Sequence, residues 1–169
     1  MNKTLYTLLI PRTIFLLITS CVLNACQNYS ISLNQNEIYS PPTLFSDYIV
    51  HDTGLRQCLK QNIEEQLIRS AENLYSLICG NLNITSLEGI NQFPKIKNLG
   101  LANNKIKDLI QLTYFKELEH VDLSHNQLIS INTLKQIESL KTVNLRGNPK
   151  LECIRLASNV STLMPKHCL

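Results

Sequence analysis

A spacing of 22 residues constrains this chain more than any other feature. From Ile96, apolar residues fall at Ile96, Leu99, Leu101, Ile106, Leu109, Leu112 and Phe115, with Asn104 among them. Shifted by 22, the same phase gives Leu118, Val121, Leu123, Leu128, Ile131, Leu134 and Ile137, with Asn126. A further shift gives Leu140, Val143, Leu145 and Asn148 before Pro149 breaks the pattern. A backward shift gives Leu74, Leu77, Cys79, Ile84, Leu87, Ile90 and Phe93, with Leu82 at the Asn phase. Outside that phase, all 21 positions of the three full lines are apolar. At a hydrophobic fraction of 44%, chance produces that about once in thirty million.

These residues resemble the leucine-rich repeat family, LxxLxLxxNxIxxLxxLxxF, in its 22-residue bacterial, internalin-like form. The resemblance is close from Leu74 to Cys153 and looser on either side. It implies an α/β fold: a short leucine-rich-repeat solenoid with a parallel β-sheet on the concave face, a helical N-terminal cap and a disulfide-closed C-terminal cap. In each repeat LxL is one short strand whose alternating side chains point inward, and successive strands stack about 4.8 Å apart. The return segment is too short for a regular helix and is expected as 3₁₀ or extended chain. Asn104, Asn126 and Asn148 are expected inside, their amides serving turn backbone groups that no water reaches.

The ends of such a stack need covers. Leu55, Cys58, Leu59 and Ile63 share one helical face, with Asp52 and Thr53 as N-cap candidates. Residues 64–73 are expected to form a second short helix or a turn. This divides the chain into a helical cap over 47–73, four-stranded repeats over 74–148 and a C-terminal cap over 149–169. If the solenoid holds, Cys79 and Cys153 stand three strand spacings apart, about 14 Å, against the roughly 4.4–6.8 Å between Cα atoms that a disulfide tolerates. The pairings left are Cys58–Cys79 and Cys153–Cys168, one per cap. A zinc site lacks CxxC or a histidine at ligand spacing, and no metal or cofactor is expected.

The N-terminus reads as an address. Lys3 and Arg12 precede an apolar run over 13–23, the length of a signal-peptide hydrophobic region and short of the roughly 20 residues that span a bilayer. Leu23-Asn24-Ala25-Cys26 resembles the lipobox of bacterial lipoproteins, which implies a signal peptide over 1–26 and lipidation of Cys26. Cys21 is the alternative lipidated residue, and plain secretion after Ala25 is another. Cys26 leaves the longer hydrophobic run and four of the six cysteines, an even set for an oxidising compartment. Residues 27–46, polar and closed by Pro41-Pro42, read as a flexible tether, with a strand of the cap as the alternative. Gln27 after Cys26 resembles lipoproteins sent to the outer membrane of a two-membrane host.

Sixteen Lys and Arg oppose thirteen Asp and Glu, a net charge of +3, and without Lys3 and Arg12 the count is fourteen against thirteen. That balance argues against nucleic acid, and Asp108, Glu117 and Glu119 dilute the basic group Lys95, Lys97, Lys105 and Lys107. In the implied fold the outward strand positions form the concave face. They run in the columns Ser76, Asn98, His120, Thr142, then Ile78, Gly100, Asp122, Asn144, then Gly80, Ala102, Ser124, Arg146. Ser76, Asn98, His120, Asp122, Thr142, Asn144 and Arg146 are the candidate binding residues; only Arg146 is of a type favoured at protein-binding hot spots. An edge, or loop residues such as Tyr114 and Phe115, could bind instead. His120, Asp122 and Ser124 follow one another about 6.5–7 Å apart along a strand, beyond hydrogen-bond reach, so a catalytic triad is not expected. No GxGxxG, P-loop or HExxH occurs. The expectation is a monomeric, non-enzymatic, membrane-tethered module that binds a protein or envelope component. An accessory subunit of an envelope assembly is the first alternative and an enzyme the last.

Overall fold

The computed structural model describes residues 30–33, 36–40 and 43–169. Residues 1–29, with the apolar run over 13–23 and both Cys21 and Cys26, lie outside them, and so do the export and lipidation expectations that rest on these residues. The chain divides into two compact units, Met1–Thr43 and Leu44–Leu169. In the first, β1 (Ile31–Leu33) pairs antiparallel with β2 (Asn36–Tyr39), so the segment read as a tether contains a hairpin. Leu44 and Phe45, also in that segment, pack on the core of the second unit, and the Phe45 N–H donates to the Ile68 carbonyl at 2.8 Å.

The second unit starts with α1 (Thr53–Glu65), which buries Leu55, Cys58, Leu59 and Ile63, the face read from their spacing. Asp52 caps it, accepting the Leu55 N–H at 3.0 Å on Oδ1. Its other oxygen accepts the N–H and hydroxyl of Thr85, both at 2.9 Å, and the Ser86 N–H at 3.2 Å. One carboxylate thus starts the helix and fastens it to the first repeat. No second α-helix follows; the chain turns after Glu65 and makes a single 3₁₀ turn at Ala71–Asn73.

Five parallel strands then follow in chain order: β3 (Ser76–Ile78), β4 (Asn98–Gly100), β5 (His120–Asp122), β6 (Thr142–Asn144) and β7 (Ser161–Leu163). Register between the first four advances by 22, Leu77 opposite Leu99, Val121 and Val143, all at most 3% exposed. The fifth strand comes from the C-terminal cap, with Ser161 opposite Thr142. Return segments carry 3₁₀ turns at Ile90–Gln92, Ile110–Tyr114 and Asn132–Gln136, and bury Phe93 and Phe115. The core is continuous from Val50 to Leu151.

The inward asparagines join the rungs. Asn104 Oδ1 accepts the N–H groups of Leu82 and Ile84 at 3.1 and 3.0 Å, while Nδ2 donates to the Cys79 and Leu101 carbonyls at 2.7 and 3.0 Å. Asn126 accepts from Ile106 at 3.0 Å and donates to Leu101 and Leu123 at 2.9 and 3.1 Å. Asn148 accepts from Leu128 at 3.1 Å and donates to Leu123 and Leu145 at 3.0 and 2.9 Å. The residue before each of them, Asn103, His125 or Gly147, has a positive φ of 57°, 53° or 72°. That backbone turns the chain sharply at the strand exit.

At the N-terminal edge of the sheet no strand precedes β3, and α1 supplies its partners. Asn62, 7% exposed, accepts the Ile78 N–H at 3.4 Å and donates to the Ile78 carbonyl at 3.3 Å. Gln66, one turn on, donates to the Ser76 carbonyl at 3.0 Å. The disulfides are Cys58–Cys79 and Cys153–Cys168, with Cα atoms 5.5 and 5.2 Å apart.

Candidate functional site

Alternation along β3 to β6 sends the middle residue into the core and its two neighbours to the concave face. The first outward column is Ser76, Asn98, His120 and Thr142, extended by Ser161 of β7; all but the half-buried Ser76 are exposed. The second is Ile78, Gly100, Asp122 and Asn144, extended by Leu163. All of these residues but Ser76 line an open groove of about 370 Å³. Five of the seven candidate binding residues lie in it: Asn98, His120, Asp122, Thr142 and Asn144. Ser76 and Arg146 stand outside its lining.

The polar groups are already paired in part. The His120 ring Nδ1 lies 2.7 Å from the Thr142 hydroxyl, joining neighbouring strands, and Nε2 is 3.8 Å from Glu119. Asp122 Oδ1 accepts the Ser124 N–H at 2.9 Å, and Asn144 Oδ1 accepts the Arg146 N–H at 3.3 Å. These bonds to residue i+2 hold the strand exits, so the half-buried Asp122 and Asn144 have a structural role on the face. Ser124, 6% exposed, is inside the turn and not on the face.

The groove has apolar ends. Ile78 is 61% exposed and Leu163 42%, at opposite ends of the second column. Ile78 leans over Gly100, where a Cβ would lie 3.0 Å from its Cδ1, so the absent side chain gives Ile78 its seat. The sequence marks Ile78 as outward but gives no sign of Leu163. The step from Thr142 to Ser161 is 19 residues, out of phase with the repeat. Of the alternative loop residues, Tyr114 is 58% exposed, but Phe115 is 1% exposed and belongs to the core. Phe115 is therefore withdrawn as a contact residue, because the repeat places it inward.

Above the strand starts, charges alternate across rungs. Glu117 pairs with Lys95 and, at 3.3 Å, with Lys97, while Glu119 pairs with Lys141 at 2.6 Å. Hydrogen bonds from Lys95 and Lys97 hold the Glu117 carboxyl below the usual range, and the bond from Lys141 does the same for Glu119. Half of the basic group read from the sequence is thus engaged by Glu117. Among the described residues, the one trio with ligand atoms close enough for a metal is Cys153, His167 and Cys168, two of which are joined as a disulfide.

No family model matches this sequence, and no curated protein matches it. Among solved structures, internalin C2 of Listeria monocytogenes superposes with a TM-score of 0.58 at 22% identity, covering 66% of this chain and 53% of that one. The fold is a leucine-rich-repeat solenoid. A second Listeria internalin, internalin F, superposes at a TM-score of 0.46 and 16% identity over 68% of this chain and 43% of its own. The solenoid spans about half the length of internalin C2, and the likeness is one of fold.

Proposed function

We propose that this chain is an exported, non-catalytic solenoid that binds another protein, or an envelope component, on the concave face of its sheet. The observation that carries this reading is the pair of exposed aliphatic side chains, Ile78 and Leu163, bracketing the exposed polar groups of Asn98, His120 and Thr142. Apolar anchors flanking hydrogen-bonding groups make a surface suited to a protein partner. His120 paired with Thr142, and Asp122 with the Ser124 amide, serve the sheet instead of relaying a proton. Two disulfides support an oxidising compartment outside the cytoplasm. The proposed route there is the N-terminal signal, with Cys26 as the lipid-bearing residue and Cys21 as the alternative. The outer membrane is the destination if the host has two.

The test is a crosslinked pull-down from the native envelope with wild type and an Asn98→Arg/Thr142→Arg variant. Both positions are exposed, so folding should persist, as circular dichroism would check. The variant is expected to lose the wild-type partner. Capture of that same partner at the same yield removes the concave face from the mechanism. The second reading, an accessory subunit of an envelope assembly working through its edges, would then stand, with β7 favoured because it ends the sheet. Palmitate labelling of wild type, Cys26→Ala and Cys21→Ala tests the anchor separately.

A further inference from the structure

The two disulfides live in opposite surroundings. Cys58 and Cys79 are 1% and 0% exposed within the core, whereas Cys153 is exposed and Cys168 half-buried. Thiol–disulfide exchange requires an attacking group to reach a sulfur, so access separates the two bonds. Beside the accessible one stands His167, and the ligand atoms of Cys153, His167 and Cys168 all lie within 4.8 Å of one another. The His167 ring is held by a hydrogen bond from its Nε2 to the Leu151 carbonyl oxygen at 2.9 Å, an oxygen that also lies 4.0 Å from the Cys168 Sγ. A neutral ring donating there keeps a lone pair on its other nitrogen.

We propose that the C-terminal cap has a second state, in which Cys153–Cys168 is reduced and the two thiolates, with the His167 imidazole, hold a thiophilic divalent ion of the zinc class. The reductant is a dithiol or a phosphine. A dithiol passes two electrons and two protons to the sulfurs and itself becomes a disulfide, while a phosphine ends as its oxide with water's oxygen. One sulfur–sulfur bond breaks and two thiols form. Binding the ion releases their two protons, and water fills the fourth position. Two sulfurs and one nitrogen suit zinc or cobalt(II) over harder ions. The 15-residue separation between these cysteines contains β7, whose Leu163 closes one end of the groove. In the second state the ion replaces the covalent staple and keeps that strand in the sheet.

The experiment uses the purified full chain. Graded phosphine reduction followed by alkylation and peptide mapping is expected to label Cys153 and Cys168 at concentrations that leave Cys58 and Cys79 bridged. Cobalt(II) added to that species is expected to give thiolate-to-metal absorption and tetrahedral visible bands, both displaced by zinc. His167→Gln keeps an amide donor for the Leu151 carbonyl but removes the imidazole, and is expected to weaken cobalt binding at least about tenfold. A Cys153→Ser/Cys168→Ser variant should show no thiolate bands. The proposal is overturned if the buried bridge reduces first or together with the exposed one. It is equally overturned if cobalt fails to bind the reduced chain with thiolate bands, or if His167→Gln binds it as wild type does.

Discussion

Asn126 uses both ends of its amide on backbone that water cannot reach: the Ile106 N–H and the Leu101 and Leu123 carbonyls, at 4% exposure. Replacing it by Ala leaves these groups unpaired in a dry interior, where each costs about 1–3 kcal/mol. Asn126→Ala is therefore expected to destabilise the solenoid by about 2–4 kcal/mol in urea denaturation. Asn126→Leu should fare little better, since added apolar surface does nothing for the orphaned peptide groups. Asp52 is the residue whose stabilisation depends on pH. Burial alone would raise its carboxyl, but hydrogen bonds from Leu55, Thr85 and Ser86 outweigh this and hold it below its ordinary value of 3.8. A carboxylate depressed in the folded state stabilises fully above its unfolded pKa, and the stabilisation disappears as pH falls through the folded one. The gap in stability between wild type and Asp52→Asn should be widest at and above about pH 5 and close progressively below about pH 4. A gap that stays constant between pH 6 and pH 2 would show that the charge contributes nothing.

Among the elements, α1 substitutes for a strand, and this explains the missing rung at Leu82. In the later repeats an asparagine donates to the carbonyls of its own and the preceding strand. Before β3 there is a helix, packed so tightly that a Cβ on Gly54 would lie 2.3 Å from the Leu82 carbonyl oxygen. An amide at position 82 therefore has no preceding strand to bond, and Leu82 packs against the core instead. Leu82→Asn is expected to raise stability by no more than a few tenths of a kcal/mol; a melting gain of several degrees would mean the rung is simply absent. The helix face over Leu55–Ile63 is legible because its apolar residues recur at helical spacing. The edge-sealing role of Asn62 and Gln66 is not, because a polar residue on an apolar face reads the same whether it meets water or a sheet edge. β7 was hidden for a related reason. Ser161-Thr162-Leu163 has one apolar residue, and its 19-residue step breaks the period that revealed the other strands.

Across the whole molecule, contacts run between neighbouring rungs, so damage at one end should stay there. Each disulfide closes a loop whose constraint contributes about 3 kcal/mol on a chain-entropy account. Cys153→Ser/Cys168→Ser is expected to loosen β7 first. Hydrogen exchange should accelerate at the Leu145 N–H, which donates to Leu163 at 2.8 Å, while the Leu101 N–H, bonded to Asp122 at 2.7 Å, keeps its protection. Equal loss at both would contradict rung-by-rung coupling. The repeat itself was readable because its purpose is burial, and burial demands an apolar residue at every inward site. The concave groove was readable only as a set of outward positions. One of its apolar ends, Leu163, depends on a strand that the period does not reach, and its polar groups divide between bonding the sheet and facing solvent.

The asparagine bonds have one further implication. Asn126 and Asn148 each take one N–H from the loop of the preceding rung and give to carbonyls of two successive strands. The junction on either side of a 22-residue block is consequently the same wherever it is cut. A duplicate of 104–125 spliced after His125 would meet familiar partners above and below, leave both covers untouched, and widen the sheet by about 4.8 Å. Breadth of the concave sheet is thus a countable quantity in this architecture, adjustable by whole blocks without redesigning any part.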